Sequence, residues 1–108
     1  MRLHGLALIA LLVAAAPTHA QQPGDGRALF VANGCYECHG YVGQGGAAPR
    51  IAPTVYPYEA FAGLVRRPAN EMPAYAPQAL GDDALRAIYG YLRSIPEPPP
   101  LADIAILR

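Results

Sequence analysis

Two cysteines and a histidine give the sequence its most distinctive chemistry, in the run Cys35-Tyr36-Glu37-Cys38-His39. Two thiols placed three positions apart on one turn of helix can each add to a vinyl group of the same haem. The histidine directly after them can then bind the haem iron, and the pattern C-x-x-C-H is typical of this covalent attachment. We therefore predict that Cys35 and Cys38 hold a haem and that His39 is an axial ligand of its iron.

Three other kinds of site are compatible with paired cysteines. A thioredoxin-like redox pair requires a βαβ context, and the sequence has no alternating run long enough for a sheet. A structural disulfide across so short a loop would gain little entropy, because that gain grows with loop length. A zinc site needs four ligands, and beyond residue 20 the chain has no cysteine or histidine other than these three.

The predicted second axial ligand is Met72, the only methionine beyond residue 20. It lies in a loop framed by Pro68 and Pro73, and such rigidity suits a side chain held at a fixed distance from a metal. The alternative is a methionine that fills a gap in the core, which is the commoner use of this residue. A His/Met pair raises the potential of the iron and fills both axial positions, which favours electron transfer over binding of O₂ or peroxide.

The start of the chain predicts export. A basic residue at Arg2, an apolar run over residues 5–16 and small residues at Thr18 and Ala20 occur in the order of a secretory signal peptide. The alternative is an uncleaved anchor, but this run is shorter than the about 20 residues that span a bilayer. We expect cleavage near Ala20, a periplasmic location and no membrane span in the mature chain.

Residues 1–20 are thus the predicted signal peptide, residues 21–95 the haem domain and residues 96–108 a proline-rich tail. The tail is expected to fold back on the domain or to be disordered, and the alternative is a strap that docks on a partner. So small a domain usually needs a disulfide, a metal or a cofactor, because its side chains alone bury too little surface. The chain has no lysine, and its formal net charge is zero. Nucleic acid, which requires a basic face, is therefore excluded as a partner.

Three short helices joined by glycine- and proline-rich loops are predicted. The first begins after Asp25, a good N-cap residue, and the second runs from Pro57 to the residues before Pro68. The third follows Asp82, and Gly90 within it is expected where another backbone approaches closely. The second helix has an apolar face of Phe61, Leu64 and Val65, and the third a stripe of Leu85, Ile88, Tyr91, Leu92 and Ile95.

The stretch from Gly26 to Ile95 resembles a small bacterial class I cytochrome c. The residues that carry this resemblance are Gly26, Phe30, the run Gly34–Gly40, Pro49, Ile51, the run Met72–Tyr75, Ile88, Tyr91 and Leu92. The resemblance implies an all-α cytochrome c fold, in which three to four short helices wrap around one covalent haem c. It also implies that Gly26 and Phe30 pack against Tyr91 and Leu92 where the terminal helices cross.

The same resemblance implies further haem contacts from Pro49, Ile51 and Tyr75. The Pro49 carbonyl is expected to accept a hydrogen bond from the His39 ring nitrogen that faces away from iron, which would fix the ring and raise its basicity. Several other polar side chains are candidate partners of the haem propionates, with a solvated surface or a pocket wall as the alternative. They are Arg50, Arg66, Arg67, Tyr56, Tyr58 and Tyr75.

These features predict a periplasmic monohaem cytochrome that transfers single electrons by Fe(III)/Fe(II) cycling and is itself no enzyme. The short gap from His39 to Met72 resembles compact cytochromes that serve as electron-accepting subunits or partners of periplasmic dehydrogenases. A dehydrogenase is therefore the expected donor, and a terminal oxidase or another redox protein the expected acceptor. The alternative is a haem enzyme with a labile sixth ligand that reduces peroxide or oxidises a sulfur compound, although no distal acid–base pair is visible for it.

Overall fold

The computed structural model describes residues 25–107, so the predicted signal peptide over 1–20 lies outside the described residues. The described part contains four α-helices, two short 3₁₀ turns and no β-strand. The helices are α1 (Gly26–Ala32), α2 (Cys35–His39), α3 (Tyr58–Arg66) and α4 (Asp82–Ser94), and the 3₁₀ turns are Leu101–Asp103 and Ala105–Leu107. This confirms the all-α class. Within residues 25–107 no helix is long and apolar enough to cross a membrane.

Local sequence signals account for the way the chain enters and leaves α1. The Asp25 carboxylate caps the helix by accepting a hydrogen bond from the Ala28 N–H at 2.8 Å. At the other end Gly34 has a φ of 73°, a left-handed conformation that glycine adopts without steric cost. The reversal at Gly34 lets α2, which contains the predicted attachment motif, begin directly after α1.

The tightest packing in the described part is the crossing of α1 over α4. Gly26 is buried there, and a Cβ added to it would overlap the Ala87 carbonyl oxygen and lie 2.8 Å from the Tyr91 Cβ. One turn further along α1, the ring of Phe30 lies with its centroid 5.8 Å from that of Tyr91. The expected contact of Gly26 and Phe30 with Tyr91 is therefore present.

The expectation that another backbone approaches closely at Gly90 is wrong. This glycine is exposed, and a Cβ added to it would meet nothing within 4 Å. The close approach of the two backbones is provided by Gly26 in α1, which faces Ala87 of α4. One glycine at the contact is enough, so α4 meets α1 through residues that carry a Cβ.

The core lies between α1, α3 and α4. Its buried apolar residues are Leu29, Phe30, Ala52, Phe61, Val65, Leu80, Leu85, Ile88 and Leu92. The expectation that Leu64 shares the buried face of α3 is wrong, because this side chain is 45 % exposed. The face of α3 that meets α4 is formed by Phe61 and Val65, which leaves Leu64 on its edge.

After α4 the predicted proline-rich tail leaves the core. An ion pair between the Arg50 guanidinium and the Glu97 carboxylate, at 2.6 Å, holds the start of the tail beside the loop after α2. Both side chains are largely exposed, so such a pair contributes only about 0–1 kcal/mol to stability. Three large apolar side chains further along the tail, Leu101, Ile106 and Leu107, are exposed.

The two glycines give opposite predictions for substitution by alanine. Gly90→Ala should stabilise the protein by about 1 kcal/mol, because it removes the helix penalty of glycine without a clash. Gly26→Ala should destabilise it by about 1–3 kcal/mol, because the added methyl group must push the two helices apart. Chemical denaturation followed by far-UV circular dichroism measures both changes. Equal effects of the two substitutions would contradict the described crossing.

Candidate functional site

The two cysteines lie on the single turn of α2. Both are free thiols, and Cys35 is half-buried while Cys38 is exposed. Their spacing of three positions places them on the same side of the helix. Cys35 packs against the core, so one end of the motif faces apolar residues and the other faces solvent. Two thiols in this arrangement are open to reaction with one bound group.

The His39 ring is held by a backbone acceptor. Its Nδ1 lies 2.8 Å from the Pro49 carbonyl oxygen. A carbonyl oxygen can only accept, so the Nδ1 N–H is the donor and Nε2 is the nitrogen without a proton in the neutral ring. Nε2 is therefore the atom of His39 that can bind a metal. The hydrogen bond that the resemblance implied is present in the structure.

Backbone hydrogen bonds fasten the loop that supplies the Pro49 carbonyl. The Gly45 N–H donates to the His39 carbonyl at 2.8 Å, and the Ala48 N–H donates to the Cys38 carbonyl at 3.0 Å. The loop is thus tied to the end of α2 on both sides of the histidine. The acceptor for the imidazole ring is set by backbone geometry, with no contribution from a mobile side chain.

Gly43 anchors the same loop to the core. It is buried with a φ of 66°, and a Cβ there would lie 2.8 Å from the Ala52 Cβ and 3.1 Å from a methyl carbon of Leu92. Its carbonyl accepts hydrogen bonds from the Ile51 and Ala52 N–H groups at 2.9 and 3.1 Å. Ile51, one of the predicted haem contacts, is consequently half-buried against the core.

The predicted sixth ligand lies in a loop that reaches the attachment motif. Met72 is half-buried and packs against the core. Three residues later, the Tyr75 hydroxyl donates to the Asn33 carbonyl at 2.8 Å, and the Tyr75 N–H donates to the Val65 carbonyl at 3.1 Å. This tyrosine therefore joins the Met72 loop to the turn between α1 and α2.

Burial affects the protonation of two groups near α2, the Cys35 thiol and the Tyr75 hydroxyl. It raises the pKa of the Cys35 thiol, and it also raises the pKa of the Tyr75 hydroxyl, with the nearby Cys35 adding to the rise. At neutral pH both groups keep their protons. Tyr75 therefore keeps the hydroxyl proton that it donates to the Asn33 carbonyl, and Cys35 remains a neutral thiol, which suits its half-buried position.

The candidate propionate partners are largely engaged within the protein. Arg50 donates to the Ala52 carbonyl and to Glu97, and Arg66 donates to two backbone carbonyls and to Asp82. Among residues 25–107, Arg67 donates its backbone N–H to the Gly63 carbonyl, and its guanidinium makes no hydrogen bond. The Tyr58 hydroxyl lies 3.4 Å from the Asp82 carbonyl, and Tyr56 is exposed. Binding of propionates by any of these side chains stays a prediction.

A cleft of about 390 Å³ lies apart from the motif, between α3 and the start of α4. Its lining residues are Tyr58, Ala62, Gly63, Arg66, Arg67, Asp82 and Arg86. None of the two cysteines, His39 and Met72 contributes to it. The residues that could bind a haem are thus gathered around α2 and the Met72 loop, on another part of the described surface.

The donor set fits a covalent haem. It comprises two free thiols on one helical turn, an imidazole with its Nε2 available and a thioether in a loop tied to Asn33, which precedes that turn. Several large apolar side chains between α2 and the end of α3 remain exposed, which an apolar cofactor bound nearby would help to cover. They are Tyr41, Val42, Val55, Tyr56 and Leu64.

Comparison with known proteins agrees with this geometry. The family model described as cytochrome c oxidase, cbb3-type, subunit III matches residues 21–92, which include α2, the Pro49 loop and Met72. No curated protein and no solved structure gives a significant match. The family match covers more than half of the chain, and the helices it spans form the all-α arrangement expected of a cytochrome c. The chain therefore belongs to this family of cytochrome c domains, whose haem serves electron transfer.

Proposed function

We propose that the mature protein is a periplasmic electron carrier with one haem c, bound through thioether bonds to Cys35 and Cys38. The observation that carries the proposal is the hydrogen bond from the His39 Nδ1 to the Pro49 carbonyl, which leaves Nε2 available beside two free thiols. In this proposal His39 and Met72 are the axial ligands, and the protein passes one electron at a time between two redox partners.

Residues of this chain would hold the haem and set the basicity of its histidine ligand. The Pro49 carbonyl fixes the plane of the His39 ring and increases the basicity of its free nitrogen. The backbone bonds of Gly45 and Ala48 keep that carbonyl in place. When bound, haem supplies an iron that gains and loses one electron. Ligands that barely move when the iron changes its oxidation state keep the reorganisation energy of electron transfer small, which suits an electron carrier.

A carrier is favoured over the alternative haem enzyme by the position of Met72. An enzyme that reduces peroxide or oxidises a sulfur compound needs an open or labile position on the iron and a group that moves protons. Met72 packs against the core in a loop that Tyr75 ties to the turn before α2, which supports Met72 as a fixed ligand. A filled sixth position suits outer-sphere transfer of an electron.

Export and partners are part of the same proposal. The signal-peptide pattern supports a periplasmic location, and the resemblance to compact cytochromes supports a dehydrogenase as donor and a terminal oxidase or other redox protein as acceptor. A surface for docking lies next to the motif, where the rings of Tyr36 and Tyr41 stack with centroids 4.5 Å apart. Tyr41 and its neighbour Val42 are exposed. We propose that partners dock on this apolar surface.

The mass of the denatured holoprotein tests attachment and export together. We expect the mass of residues 21–108 plus one haem, because thioether bonds survive denaturation and the signal peptide is removed on export. The double variant Cys35→Ala, Cys38→Ala should carry no haem under the same conditions. A wild-type chain that loses all its haem in acidified organic solvent would refute the covalent sites. Retention of residues 1–20 would make the protein a tethered carrier.

Substitution of Met72 tests the sixth ligand. The ferric wild type should show the weak long-wavelength absorption of sulfur–iron charge transfer, and Met72→Ala should abolish it and lower the reduction potential. The variant should also bind carbon monoxide or cyanide readily, because a position on the iron has opened. Fast binding of carbon monoxide by the wild type, together with absence of the band, would favour the enzyme alternative instead.

Salt dependence tests the mode of docking. With a formal net charge of +0, long-range steering should be weak, so the rate of electron transfer to the native donor should change only modestly between low and physiological salt. Weak redox contacts of this kind typically bury less than about 1,200 Å². A rate that falls by more than about tenfold over that range would show that charged side chains steer the encounter.

A further inference from the structure

One guanidinium joins the segment that follows Met72, and the start of α4, to α3. Arg66, the last residue of α3, donates from Nη1 to the Tyr75 carbonyl at 2.9 Å and to the Leu80 carbonyl at 2.6 Å. Its Nη2 lies 2.6 Å from the Asp82 carboxylate at the start of α4. The Arg66 side chain is only 17 % exposed. Hydrogen bonds from a charged donor are stronger than neutral ones, so this is a substantial anchor.

The loop itself has few other attachments. Residues 67–81 connect α3 to α4 without a helix, and the stretch 68–74, which contains Met72, makes no backbone hydrogen bond to the described part of the chain. Beyond it, Tyr75 is bonded to the Val65 carbonyl through its N–H and to the Asn33 carbonyl through its hydroxyl. The Arg66 guanidinium is therefore the one side chain of α3 that bonds both Tyr75 and Leu80.

We propose that Arg66 is a positioning residue for the sixth iron ligand. Its bonds to the Tyr75 and Leu80 carbonyls keep the loop closed over the site and so hold the Met72 sulfur against the iron. This rests on the proposed function, in which Met72 is that ligand. Loss of the guanidinium leaves two partly buried carbonyl oxygens without their charged donor, which favours an open loop.

An exposed arginine of α1 provides a matched control. Arg27 is exposed, and its guanidinium makes no hydrogen bond within residues 25–107. Arg66→Gln and Arg27→Gln remove the same charge, so a difference between them reports the contacts of Arg66 and not the net charge. Arg66→Lys keeps the charge but replaces a planar fork with a single ammonium group, which cannot reproduce the same set of bonds.

The experiment uses the mature ferric holoprotein and follows two signals on heating. The sulfur–iron absorption band reports Met72 ligation, and far-UV circular dichroism reports the helices. In Arg66→Gln the band should disappear at a lower temperature than the helical signal, whereas Arg27→Gln should match the wild type. Binding of carbon monoxide to ferrous Arg66→Gln should be faster by about tenfold or more, equivalent to about 1.4 kcal/mol. Arg66→Lys should lie between Arg66→Gln and the wild type.

Two results would overturn the inference. One is an equal response of the two glutamine variants. The other is loss of the band and the helical signal together in Arg66→Gln, since Arg66 would then support the fold as a whole. If Arg66→Gln fails to fold, the order in which Arg66→Lys loses the absorption band and the helical signal is compared with that of the wild type. An order equal to that of the wild type would then overturn the inference. A wild type without the band would refute Met72 as a ligand, and with it the proposed function, so the two failures are distinguishable.

Discussion

The crossing of α1 over α4 at Gly26 is the contact on which the rest of the described structure depends. It places the two backbones so close that no Cβ fits between them, and it fixes the direction in which α1 ends. Because Gly34 reverses the chain directly after α1, the position of α2 follows from the same contact. The two cysteines and His39 are thus oriented by a helix packing several residues away from them.

Two loops then complete the site on this frame, and they are held in different ways. The loop with Pro49 is fastened by backbone bonds to α2, which give a fixed acceptor for the imidazole. The loop with Met72 has one backbone bond to α3, from the Tyr75 N–H to the Val65 carbonyl, and otherwise depends on two side chains, the Tyr75 hydroxyl and the Arg66 guanidinium. Backbone attachment is hard to alter by mutation, whereas side-chain attachment is easily altered. The loop that bears Met72, the proposed sixth ligand, is therefore the more adjustable half of the site.

The parts of the site that depend on local signals could be predicted from the sequence. The Asp25 cap, the apolar stripe of α4 and the C-x-x-C-H motif are each encoded within a few residues, and the resemblance supplied the bond from His39 to Pro49. The resemblance also placed Gly26 at the helix crossing, whereas the exposed position of Gly90 could not be predicted from its spacing, because it depends on how two helices rotate about each other. The contacts of Arg66 gave no signal, because backbone carbonyls are acceptors that every residue carries.

The ion pair between Arg50 and Glu97 has a consequence for anything attached to the end of the chain. It holds the first residues of the tail beside the loop that bears Pro49, and the three prolines that follow Glu97 form a stiff spacer. A second redox domain fused there would be tethered to this domain, and the length and stiffness of the spacer would set the effective concentration of one redox site at the other. Its exchange of electrons with the haem would be intramolecular and independent of dilution.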